Sequence, residues 1–174
     1  MSTLLGPMRQ IGYVVRDIEK AMRYWTEVNR VRPWFYFERF SFDAFTYRGQ
    51  RQDQVNLSVA LGNCGDMQLE LIQQRCDTPS MWRDFIQSGH EGMQHFAVWP
   101  EDYDAAYQKA LDAGFRVCQE GDLTGRGRFV YFANEDHPGT VVELSHFTPA
   151  RQRSAAMIRE AAATWDGTNP VRRP

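Results

Sequence analysis

Residues 8–22 are echoed 85 positions further along the chain, and this repeat limits what the chain can fold into more than any other feature. The shift places Met8 on Met93, Gln10 on His95, Ile11 on Phe96, Gly12 on Ala97, Asp17 on Asp102 and Ala21 on Ala106. A second shift, of 73 positions, carries Gln68, Leu69, Glu70 and Leu71 onto Val141, Val142, Glu143 and Leu144. Two such matches, in the same order and with the same flanking elements, indicate two copies of one supersecondary unit.

Each half reads as a strand, a helix and then a run of strands. Alternating apolar and polar residues predict strands over 8–15, 33–38, 45–48, 54–61 and 67–73, then over 93–100, 115–119, 129–133 and 140–145. Asp17 and Asp102 stand where an N-cap is needed, before helices that start at Ile18 and run over 102–113; Gly114 closes the second. A connector holds one short helix, predicted over 80–87. Residues 149–165 read as an amphipathic helix with Met157, Ile158 and Ala161 on one side. Thr148 can cap that helix, and Pro149 suits its first position because the missing N–H has no partner there. Residues 167–174 are expected to form a loose end.

Composition narrows the function classes. Apolar residues make up 43% and charged residues 24% of the 174, which fits an ordinary globular chain. No apolar run reaches the roughly 20 residues a membrane helix needs, and residues 1–9 lack the pattern of a signal peptide. A cytoplasmic protein without membrane partners is therefore expected. A net charge of −2 gives no electrostatic reason to expect nucleic acid. Arg151, Arg153, Arg172 and Arg173 make the C-terminus locally basic, and are read as a solvated tail. Cys64, Cys76 and Cys118 show no CxxC spacing and fit reduced thiols.

The repeat singles out four polar residues, one from the first and one from the last strand of each half: Gln10, Glu70, His95 and Glu143. Alternate residues of a strand share a face, so Gln10 lies with Gly12 and Val14, while Ile11, Tyr13 and Val15 can pack beneath a helix. Glu70 and Glu143 sit in apolar strands, where a carboxylate needs solvent or a partner. One divalent cation would satisfy both. An amide oxygen, two carboxylates and one imidazole form an oxygen-rich set suited to Mn, Co, Ni, Fe or Zn. His90, His137 and His146 have no counterpart in the repeat and are read as ordinary histidines. Asn56, Ser58 and Tyr131 are expected in the pocket by strand parity. The aromatic run from Trp34 to Tyr47 is read chiefly as core or interface, and Arg126 and Arg128 as residues of a glycine-rich hairpin turn.

The motifs Gln10-Ile-Gly-Tyr-Val-Val-Arg-Asp17, Gln68-Leu-Glu-Leu-Ile72, Glu91-Gly-Met-Gln-His95-Phe-Ala and Gly139-Thr-Val-Val-Glu143-Leu resemble the vicinal oxygen chelate superfamily of glyoxalases, bleomycin-resistance proteins and dioxygenases. The resemblance covers about 8–147. It implies an α+β fold in which paired βαβββ modules form a cupped, mostly antiparallel sheet with helices outside, plus a C-terminal helix. The modules would span 7–73 and 93–147, with a connector over 74–92 and a helix and tail over 148–174. The ligand set is similar to that of glyoxalase I, whereas Ser80-Met-Trp-Arg-Asp-Phe and the strand before His95 look more like methylmalonyl-CoA epimerase. In that epimerase a glutamate on the fourth strand helps proton transfer; Asn56 aligns with it here.

The activity implied is that of a metal-dependent isomerase, epimerase or lyase acting beside a carbonyl of a small molecule, in a homodimer. Glu143 is the preferred base and Glu70 the second candidate. The alternatives are a metal-dependent dioxygenase, which in the family uses iron with two histidines and one glutamate, and a metal-free drug-binding module.

Overall fold

A computed structural model describes residues 4–123, 125–137 and 139–174; the first three residues of the 1–9 stretch lie outside it. In chain order its elements are β1 (Met8–Val14), α1 (Ile18–Glu27), β2 (Trp34–Phe40), β3 (Ala44–Tyr47), β4 (Gln50–Arg51), β5 (Leu57–Cys64), β6 (Met67–Gln74), α2 (Met81–Gln87), β7 (Gly92–Val98), α3 (Tyr103–Asp112), β8 (Arg116–Leu123), β9 (Gly127–Ala133), β10 (Val141–Ser145), α4 (Pro149–Ala163) and β11 (Val171–Arg172). No helix among the described residues is long and apolar enough to cross a membrane.

The strands join in one mixed sheet, ordered β11-β2-β5-β6-β1-β7-β10-β9-β8-β3-β4. The first half contributes β2-β5-β6-β1 and the second β8-β9-β10-β7, so both halves use the same internal order. They meet where β1 and β7 pair antiparallel. Within each half the first strand lies parallel to the last, β1 beside β6 and β7 beside β10. The architecture is the expected α+β arrangement of two like units.

Strand alternation sorts the side chains onto two faces. Tyr13, Leu69, Leu71 and Ala60 pack with Ile18 and Met22 of α1, whose first turn is capped by Asp17 accepting from the Lys20 amide at 2.9 Å. The second half repeats this: Phe96, Val98, Val130, Phe132, Val142 and Leu144 pack with Tyr103, Ala106 and Ala110 of α3, capped by Asp102 accepting from Ala105 N at 3.0 Å. The opposite face holds Val14, Leu57, Val59, Ile72, Phe129 and Tyr131.

Three expectations change. The strand predicted over 45–48 leaves its own half: β3 pairs antiparallel with β8 and extends the edge of the second unit. Burial drives this crossing, because Phe45 and Tyr47 join the core around Trp82, and Phe45 stacks on Trp82 at 5.6 Å. The stretch 167–174 is no loose end. Val171 and Arg172 pair with Trp34 and Phe35 of β2, and the Trp34 amide donates to Pro170 O at 2.8 Å. Finally, the buried residue of α4 is Ile158, and it shares its face with Arg151, Ser154 and Ala155; Met157 is half exposed on another side. Helical spacing of three to four residues puts Arg151 on that inner face.

Trp82 closes one end of the inner face. It is buried on α2, a short helix held by its Ser80 cap, and stacks on Phe42 at 5.9 Å. Trp82→Ala is expected to cost about 3–5 kcal/mol, read as a lower midpoint in urea denaturation with an unchanged m-value.

Candidate metal centre

The antiparallel pairing of β1 with β7 places Gly12 opposite His95 and Gln10 opposite Ala97. The parallel pairs then place Glu70 beside Gly12 and Glu143 beside Ala97. Each long polar side chain thus has a small neighbour across the strand. The space is needed: a Cβ on Gly12 would lie 1.9 Å from Cε1 of His95, so only glycine leaves room for the imidazole.

The sheet brings three of the four expected ligands together directly. His95 Nε2 lies 3.1 Å from Glu143 Oε2 and 3.5 Å from Glu70 Oε2. The ligand atoms of Glu70, His95 and Glu143 all fall within 4.8 Å of one another. Gln10 is buried, donates from Nε2 to Gln68 Oε1 at 2.9 Å, and leaves its own Oε1 without a partner among the described residues. A buried, unpaired amide oxygen carries a desolvation cost that a cation would relieve.

His95 is oriented from behind. The register between β1 and β7 slips after Gly12, which leaves Gln94 unopposed as a β-bulge residue. Gln94 Oε1 therefore reaches His95 Nδ1 at 2.8 Å. With Nδ1–H donating there, Nε2 is the ring nitrogen turned toward the carboxylates, the atom a metal would take in exchange for its proton. Tyr131 OH sits 3.2 Å from Nε2 and accepts from Trp82 Nε1 at 3.3 Å. Ser145 Oγ donates to Glu143 Oε1.

Electrostatics follow from this crowding. Burial alone would lower the His95 pKa, yet hydrogen bonds and charge from Glu143 and Glu70 outweigh it and raise the pKa to about 9. Burial also pushes both glutamates upward. For Glu70 it prevails, helped by repulsion from Glu143, and the carboxyl stays above its ordinary value. For Glu143 the shorter contact with His95 wins, and its carboxyl is held below.

These residues form the floor of a cleft with about 750 Å³ of unfilled space, its mouth included. Gln10, Glu70, Tyr131 and Glu143 line it, with walls of Phe40, Phe42, Leu57, Val59, Ile72, Trp82 and Phe129. Arg151, Ser154 and Ala155 of α4 form its roof, and Arg126 reaches its mouth. Two expected pocket residues are elsewhere. Ser58 donates to Glu38 O and accepts from Arg75 Nε on the opposite side of β5, and Asn56 is exposed before that strand. The pairing of Val59 with Ile72 and of Leu61 with Glu70 turns the odd-numbered residues of β5 inward, so parity counted from Asn56 selected the wrong face. Arg128 faces away as well, paired with Asp104 at 2.7 Å.

The model of the glyoxalase/bleomycin resistance protein/dioxygenase superfamily matches residues 9–132. The chain belongs to this superfamily. Among solved structures, methylmalonyl-CoA epimerase from Mycobacterium tuberculosis is similar with a TM-score of 0.62 at 16% identity, over 88% of this chain and 95% of that one. A hypothetical protein from Bacillus halodurans gives 0.56 at 16%, over 80% and 93%. A variant of Streptomyces coelicolor methylmalonyl-CoA epimerase in complex with 2-nitronate-propionyl-CoA gives 0.53 at 20%, over 80% and 92%. At these identities the likeness speaks for the superfamily fold. No curated protein sequence matches significantly.

A raised histidine pKa has a definite sign in stability. The contribution of His95 is fully present below its unfolded value of about 6.5 and is lost as pH rises through about 9. Urea denaturation of the metal-free protein should therefore show the stability difference between wild type and His95→Gln shrinking between pH 6.5 and pH 9.5. A difference that stays constant over this window would refute the protonated imidazole.

Proposed function

We propose that this member of the superfamily is a divalent-metal-dependent isomerase, epimerase or lyase acting beside a carbonyl of a small molecule. Gln10 Oε1, Glu70, His95 Nε2 and Glu143 would hold the ion. The observation that carries this reading is the convergence of Glu70, His95 and Glu143 within 4.8 Å beside the unpaired Gln10 oxygen. The donors fit a hard or borderline dication, since two carboxylates balance its charge and one imidazole adds a nitrogen. The single histidine argues against the two-histidine iron set of the ring-cleaving dioxygenases, and a metal-free drug-binding module would have no need for the quartet.

When bound, such an ion supplies Lewis-acid stabilisation of the negative charge that grows on a carbonyl oxygen as the neighbouring C–H is deprotonated. Glu143 serves as base: its side chain opens onto the cleft, and Ser145 orients it by donating to Oε1. Glu70 faces the same space from β6, across the β1–β7 pair. Two carboxyl groups so placed can remove a proton and return one, as isomerisation or epimerisation demands. Their apolar surroundings exclude water and keep the carbanion equivalent from being quenched at random. Gln94 holds the His95 ring in its ligating orientation.

Metal analysis of the purified protein tests the site. Wild type should carry about one equivalent of Mn, Co, Ni, Fe or Zn, or take it up with a rise in melting temperature; Glu143→Ala should lose it while His146→Ala keeps it. Absence of stoichiometric metal and of any thermal response in wild type would sink the proposal. Gln94→Leu should weaken metal affinity by roughly 10–100-fold, measured by competition with a chelating dye. Loaded wild type should also exchange solvent deuterium into the carbon beside the carbonyl of 2-substituted carbonyl compounds, and Glu143→Gln should not.

A further inference from the structure

We infer that Arg151 makes this cleft selective for an amphiphilic anion, a small molecule with an apolar body and one carboxylate or phosphate group. The inference deepens the proposed function by naming its substrate class, and it rests on that reading only for the role of the floor.

Arg151 projects from the first turn of α4, the element that roofs the cleft. Its Nε is buried without a hydrogen-bond partner, and no carboxylate among the described residues lies within ion-pairing distance of it. The residue is only partly buried, so the unpaired Nε sits on a guanidinium whose remaining donors are also free to meet a ligand; an N–H removed from water is normally paired. The first turn of a helix is also the wrong end for a cation, since the helix dipole is positive there. Both costs are relieved if an anion enters the cleft and meets Arg151 in a two-pronged hydrogen bond.

The rest of the cleft fits the same ligand. Phe40, Phe42 and Trp82 offer an apolar wall, and Arg126 adds a second positive charge at the mouth. Ser154 and Ala155, one turn beyond Arg151, are small and leave room beneath the helix. Glu70 and Glu143 are near enough to feel the charge of Arg151 but make no bond to it, so its donors stay open. The anionic group would lie under the roof and the reacting carbonyl on the floor.

Isothermal titration of the Mn-loaded protein with 4-phenylbutyrate, 2-phenylethyl phosphate and neutral 4-phenylbutyramide tests this. At least one anion should bind about tenfold or more tightly than the amide. Arg151→Gln, compared at saturating Mn, should reduce that preference to within about twofold. Arg151→Lys should retain part of it, and Arg159→Gln, on the outer surface of the same helix, all of it. The tighter of the two anions identifies the headgroup as carboxylate or phosphate. If neither anion binds better than the amide, or if the preference survives in Arg151→Gln, the inference is overturned. Should wild type take up no Mn yet still discriminate through Arg151, the metal reading fails and this one stands.

Discussion

The antiparallel contact between β1 and β7 is where both halves of the molecule and all parts of the candidate centre meet. Backbone pairing sets Gly12 against His95 and Gln10 against Ala97, and the flanking parallel strands add Glu70 and Glu143 beside the same two small residues. The register slips twice in this contact, leaving Arg9 unopposed on β1 and Gln94 unopposed on β7. These two positions are themselves related by the 85-residue repeat, and each stands immediately before a candidate ligand. A bulge sharpens the local twist and re-aims the next side chain. The approximate twofold of the sequence is therefore expressed as a pair of bulges that turn Gln10 and His95 into one space.

The two halves nevertheless use their matched positions differently. On the second half the bulge residue, Gln94, is bound to His95 and fixes its tautomer. On the first half Gln68, from the neighbouring strand, accepts from Gln10 and orients its amide. An imidazole and an amide both have one atom that can ligate and one that must be held, so each needs a fixed partner behind it. Different neighbours supply that support, which is how a duplicated scaffold carries an asymmetric ligand set.

Much of this was legible because it depends on local alternation. The repeat, the capped helices and the common face of Gln10, Glu70, His95 and Glu143 follow from period-two and period-3.6 patterns that survive in the sequence. What was not legible depends on pairing between distant strands. Asn56 and Ser58 went to the wrong face because parity within one strand says nothing about which side its partners turn inward; the Val59–Ile72 pair decides that. β3 left its own half because Phe45 and Tyr47 find their apolar partners around Trp82, a preference no local pattern encodes. The place of Arg151 follows from helical period and not from the basic composition of its segment. Counted at helical spacing, it shares a face with Ser154, Ala155 and Ile158, and cannot belong to a solvated tail.

Charge balance ties the floor of the cleft to its roof. Two carboxyl groups in an apolar cleft would repel each other strongly if both were ionised with nothing between them. In the metal-free protein the imidazole of His95 lies between them, 3.1 and 3.5 Å from the two oxygens, whose hydrogen bonds and charge raise its pKa and favour the protonated ring. A dication taking its place would displace the proton from Nε2, so metal and proton would compete for one position. Once the carboxylates are committed to a dication, they neutralise the charge of Arg151 less than before. The roof would then present a net positive charge to an entering group, and metal loading and anion binding would reinforce each other through the same two glutamates.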